Sequence, residues 1–155
     1  MTAVSLDPRL DLVLERVVPV PPAKVWAAWT TPALLEQWFC PVPWRATDFV
    51  IDLRPGGAFD CVMRGPAGET QPQRGCLLEV VPERRLVWTD ALLAGYRPSG
   101  APFMTGMLQL EPTATGTRYT AIARHADPAT ADKHREMGFE AGWGAALDQL
   151  VALVG

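Results

Sequence analysis

The sequence predicts an α+β fold in which an antiparallel sheet curves around a long C-terminal helix, with two short helices following the first strand. Three observations carry this. From Trp44 to Arg124 the apolar residues recur with a period of two, and glycine and proline punctuate the alternation at intervals suited to a meander. Ahead of that stretch, prolines open two brief segments whose apolar residues share a helix face. After it, no proline follows Pro128, and apolar residues recur every three or four positions to the end.

Residues 10–20 are rich in aliphatic and β-branched side chains, and Pro19, Pro21 and Pro22 then deny further ladder bonds, so a first strand should end near Val18. Pro22 suits a first helical turn, and Val25, Trp26 and Trp29 form an apolar stripe behind it. Thr31-Pro32 repeats the signal as a capping hydroxyl plus proline, with Leu34, Leu35 and Trp38 as the second stripe. Five or six strands fit between Trp44 and Arg124. Phe49, Ile51 and Leu53 alternate with Val50, Asp52 and Arg54, Gly56-Gly57 turns the chain, and Phe59, Cys61 and Met63 share one face of the next strand. Gly65-Pro66-Ala67-Gly68 closes a hairpin. Residues 74–81 should pair with 85–93, and 103–111 with 117–124. Asp127-Pro128 then starts a single long helix buried through Phe139, Trp143, Leu147, Leu150 and Val154. Gly138, Gly142 and Gly144 are costly in a helix interior, which suggests close approach to the sheet or room left for something else.

The chain has 155 residues, 48% of them hydrophobic and 20% charged, which suits one domain (1–155, core 10–154) with an ample apolar interior. A net charge of −3 with no run of Lys or Arg argues against nucleic acid and anionic membranes as partners. No leader pattern and no apolar segment near ~20 residues appears, so a soluble cytoplasmic protein without membrane insertion is expected. Cys40, Cys61 and Cys76 form no CxxC pair and read as buried packing in a reducing compartment. Neither a metal nor another cofactor is implied, because the two histidines lack ligand spacing and no Gly-x-Ser-x-Gly or phosphate-cradling glycine loop is present.

Several local matches follow one another along the chain. They are Pro22-Ala23-Lys24-Val25-Trp26, Thr31-Pro32 with Trp38, and Asp52-Leu53-Arg54-Pro55-Gly56-Gly57. Then come Gly75, Glu79-Val80-Val81-Pro82, Arg85-Leu86-Val87, Gly116-Thr117-Arg118, and Gly142-Trp143 with Leu147 and Leu150. In order and approximate spacing the chain resembles the homologues of the activator of the ninety-kilodalton heat-shock protein ATPase, over Leu12 to Val154. The resemblance implies a helix-grip domain of the START and Bet v 1-like superfamily (SRPBCC). Its members commonly hold an apolar small molecule between sheet and helix, but differ widely in activity.

Strand parity places Leu86, Trp88, Asp90 and Leu92 on one inner face, with Tyr119, Ala121, Ala123 and His125 on another. Together with Trp38, Phe59, Cys61 and Met63, and with Met137 and Ala141 from the terminal helix, Trp88, Asp90 and Tyr119 are the candidate ligand contacts. A solidly packed core is the alternative. Asp90 stands where the resembled family tends to carry an aromatic, and an unpaired carboxylate inside an apolar wall is costly. An Asp90–His125 pair, with Tyr119 as a further hydrogen-bonding group, is the candidate catalytic set. His134, among Asp132, Lys133, Arg135 and Glu136, reads as part of a solvated face. Loop 94–102 either covers the cavity mouth with Tyr96 and Arg97 or is an ordinary exposed hairpin loop; Trp38, Phe39 and Trp44 form the opposite rim or close the core.

The leading expectation is a binder of a hydrophobic or aromatic small molecule such as a lipid or polyketide. A cyclase- or dehydratase-like enzyme and a chaperone-interacting protein are the alternatives, and a homodimer is possible.

Overall fold

In the computed structural model, which describes residues 4–155, β1 (Asp11–Val18) leads directly into α1 (Pro22–Thr30) and α2 (Pro32–Trp38). Both helices start on proline, whose missing N–H is no loss in a first turn. Thr31 occupies the N-cap of α2, but its hydroxyl makes no capping bond; its backbone N–H bonds the Ala27 carbonyl and closes α1 instead.

The region expected to hold five or six strands holds nine, three of them only two to four residues long. The nine are β2 (Arg45–Ile51), β3 (Phe59–Arg64), β4 (Thr70–Gln73), β5 (Cys76–Val81), β6 (Arg85–Thr89), β7 (Leu92–Leu93), β8 (Arg97–Pro98), β9 (Thr105–Pro112) and β10 (Thr117–Arg124). All pairings are antiparallel. They form a five-stranded sheet in the order β1-β10-β9-β6-β5, a three-stranded sheet β2-β3-β4, and the small β7-β8 hairpin. The two larger sheets meet at a bridge between Ala58 and Cys76, beside which the Phe59 N–H bonds the Gly75 carbonyl at 3.1 Å and the Leu77 N–H bonds the Gly57 carbonyl at 2.9 Å. Gly75 permits that junction, because a Cβ there would press on the backbone oxygens of Thr89 and Phe59. Pro72, lacking an N–H, lies on the edge strand β4, where no ladder bond is lost. Register shifts between Thr47 and Val50 and between Leu77 and Glu79 add local twist to the curved surface.

The single terminal helix expected from Asp127 is in fact two: α3 (Pro128–Glu136) and α4 (Phe139–Val154). Gly138 separates them with φ +91°, a left-handed conformation that glycine adopts without steric penalty. Asp127 caps α3 by accepting the Thr130 N–H at 2.7 Å. α4 packs against β1, α1 and α2. Leu147 and Leu150 are sealed in the core beside Leu12, Leu14, Tyr119, Ala121 and Ala123, and each such leucine contributes about 2 kcal/mol through burial. The opposite sheet face carries a smaller cluster of Val87, Met107 and Ile122, covered in part by Val4.

Candidate functional site

Between the sheets and the α3–α4 unit lies a cavity of about 740 Å³, within the range typical of small-molecule sites. Two groups of rings line it. On the sheet side, Trp29 meets Trp38 and Trp88, each with centroids 5.1 Å apart, and Phe59 stacks on Trp88 at 5.6 Å. At the helical end, Phe139 and Trp143 lie 4.5 Å apart and Phe103 packs 4.9 Å from His134. Among the described residues no ring pair joins the two groups.

The local sequence explains this placement. Trp88 is registered opposite Gly106, where any Cβ would collide with the indole, so the glycine makes room for the ring. Trp38 is held by an Nε1–H bond to the Ala28 carbonyl at 2.9 Å. Gln149 of α4 donates to the carbonyls of Trp38 and Cys40 at 3.0 and 2.8 Å and accepts the Val42 N–H, clamping the α2–β2 connection against the helix. Trp38, Phe39 and Trp44 of this connection border the cavity.

Of the residues singled out by strand parity, Phe59, Cys61, Met63, Trp88, Asp90 and Tyr119 border the cavity, and Met137 does so at the exposed mouth. Ala141 does not: it is exposed on the outer face of α4, because the break at Gly138 resets the helix and turns Gly142, Trp143 and Ala146 inward. Burial pushes the Cys40 thiol up to about 11 and, with Cys40 and Asp60 adding to the effect, that of Cys61 up to about 12. Neither is poised as a nucleophile. Among the described residues no group of three or more His, Cys, Asp or Glu side chains is gathered as a metal site.

The Asp90–His125 pair does not form. Asp90 Oδ1 accepts the backbone N–H groups of Phe103 and Met104 at 2.7 and 3.1 Å, tying down the approach to β9. His125 is buried with both ring nitrogens engaged, Nδ1 with the Leu10 carbonyl at 2.8 Å and Nε2 with His134 Nδ1 at 2.9 Å. Tyr119 accepts the Trp29 indole N–H at 3.1 Å, and burial raises its phenol far above the ordinary range. His134 is not on a solvated face. It is 7% exposed and borders the cavity, and desolvation, followed by the nearby His125, lowers its pKa to about 4. Its charged neighbours in sequence concealed it; the available signal was its position three residues after buried Ala131 on one helix face.

Tyr96 and Arg97 are exposed and do not border the cavity. Loop 94–102 is a surface hairpin, with Tyr96 lying over Gly56. Lys133 and Arg74 stand at the cavity rim.

Sheet, terminal helix and the hollow between them define a helix-grip α+β domain. The chain belongs to the family described as activator of Hsp90 ATPase homolog 1-like protein, whose model matches residues 19–155. It is similar to a solved structure from Nitrosomonas europaea at 49% identity and TM-score 0.93, covering 96% of each chain. A structure from Rhodobacter sphaeroides is 25% identical with TM-score 0.82, covering 97% of this chain and 96% of that one. One from Mycobacterium smegmatis is 26% identical with TM-score 0.80, covering 99% and 96%. No curated protein matches the chain. Among the described residues no helix is long and apolar enough to cross a membrane.

Proposed function

We propose that this protein binds a hydrophobic or aromatic small molecule in the cavity between its sheets and α4. The observation that carries this reading is the pair of ring clusters around about 740 Å³ of space, with no ring pair joining one cluster to the other. Apolar area supplies affinity in such a site, and a few polar groups set orientation. Trp38, Phe59, Cys61, Met63, Trp88 and Tyr119 provide the apolar contact, Asp90 a polar one, and Met137 a flexible side chain at the mouth. Membership of a family whose fold commonly holds apolar ligands supports the same reading.

Five of the six tryptophans border the cavity, at 29, 38, 44, 88 and 143, so intrinsic fluorescence reports its occupancy. Purified protein titrated with flavonoids, aromatic polyketides and fatty acids is expected to show saturable fluorescence changes and a raised melting temperature for at least one class. Absence of both signals across all three classes would overturn the reading.

A further inference from the structure

Building on the cavity as an apolar binding site, we propose that His134 presents it with a fixed hydrogen-bond acceptor, and that the preferred ligand is an aromatic or apolar molecule bearing a hydroxyl donor. The deduction starts at a backbone carbonyl. Leu10 C=O only accepts, so the His125 Nδ1 facing it at 2.8 Å must carry the proton. A neutral imidazole has one N–H, so His125 Nε2 is bare and accepts from His134 Nδ1 at 2.9 Å. That uses the only proton of a neutral His134 ring. Its Nε2 is left as a lone pair.

This nitrogen has no hydrogen-bond partner among the described residues, yet no sealed side-chain polar atom there lacks one. His134 Nε2 therefore reaches accessible space, and His134 borders the cavity. The ring cannot turn freely to hide it, because Phe103, Phe139 and Trp143 pack around it at 4.9, 5.3 and 5.9 Å. Burial also disfavours protonation, which keeps the acceptor bare at neutral pH. Asp90 supplies a second acceptor on the cavity wall, so both groups select for a ligand that donates. A donor-bearing guest satisfies a group that a pure hydrocarbon or ether would strand.

The test uses full-length protein at about pH 8.5, above the usual imidazole range. Calorimetry compares 2-naphthol with 2-methoxynaphthalene and naphthalene, in the wild type and in His134→Phe, while ¹⁵N-histidine NMR of the free wild-type protein reads the tautomers. With only two histidines in the chain, both rings are assignable. Both rings are expected as Nδ1–H tautomers, and 2-naphthol is expected to bind about fivefold to tenfold more tightly than its methyl ether. That ratio should fall to about one in His134→Phe. Equal affinity of naphthol and ether in the wild type, or an Nε2–H tautomer at His134, overturns the inference but leaves the apolar cavity standing. If none of the three probes binds while a flavonoid, polyketide or fatty acid does, the ligand preference falls and the cavity reading stands; if all of them fail, both fall.

Discussion

Burial and charge conflict most directly at His134. Its pKa of about 4 in the folded chain compares with ~6.5 for an unperturbed imidazole in the unfolded chain. Between these values the unfolded chain binds a proton that the folded chain refuses, so stability rises with pH. The contribution is complete above about pH 6.5 and is lost as pH falls towards about 4. Between about pH 7 and about pH 5 the wild type should lose about 1–2 kcal/mol more than His134→Phe, read from urea denaturation midpoints. The depressed carboxylates of Asp127 and Asp48, held down by hydrogen bonds from Thr130 and from Arg64 and Thr47, lose their contribution only at lower pH, so they do not confuse the window. Equal losses in the two proteins would show that His134 is solvated when folded. Parity placed Trp88, Phe59 and Tyr119 without difficulty because strand residues alternate strictly. His134 is hidden in the sequence because its charged helix neighbours mask a single buried position, and an Asp90–His125 pair is suggested there because parity says where a side chain faces and nothing about which backbone N–H groups reach it first.

At the scale of elements, three glycines of the terminal segment do three different things. Gly138 turns the chain at φ +91°, Gly144 lies where a Cβ would meet the Arg16 guanidinium of β1 at 3.0 Å, and at Gly142 a Cβ would meet nothing within 4 Å. Their oddity in a helical pattern was legible, as were close approach and spare room as explanations. The break was not, because the apolar stripe continues across it and a glycine reads equally as helix interior or as a cap. Gly138→Ala adds no clash, so its effect isolates the left-handed backbone: a loss of about 1–2 kcal/mol is expected, with Gly138→Asn milder, measured by thermal or urea unfolding. An unchanged or raised stability in Gly138→Ala would show that α3 and α4 join into one continuous helix in solution.

Across the whole molecule, alternation and helical stripes show which side chains face inward but not whether opposing walls touch. That depends on how far α1, α2 and the bent α3–α4 unit hold the ring clusters apart, a distance set by the tertiary frame. Apolar rings around an open pocket of this size forgo packing that a filled core would give them, so stability has been left unclaimed there. Gly142 borders the cavity with open space ahead of its missing Cβ, in a helix where glycine costs up to ~1 kcal/mol relative to better helix formers. Gly142→Leu should therefore stabilise the ligand-free protein by about 0.5–1 kcal/mol, while its side chain occupies the guest's space and weakens aromatic probe binding by about tenfold. Gly144→Leu, two residues along the same helix, meets Arg16 of β1 and should instead destabilise the fold with little direct effect on the cavity. Melting temperatures and tryptophan-quenching titrations of the two variants, taken side by side, separate a hollow kept open for a ligand from a core that is merely loosely packed. If Gly142→Leu destabilises the fold as much as Gly144→Leu does, the space beside α4 is closed in solution.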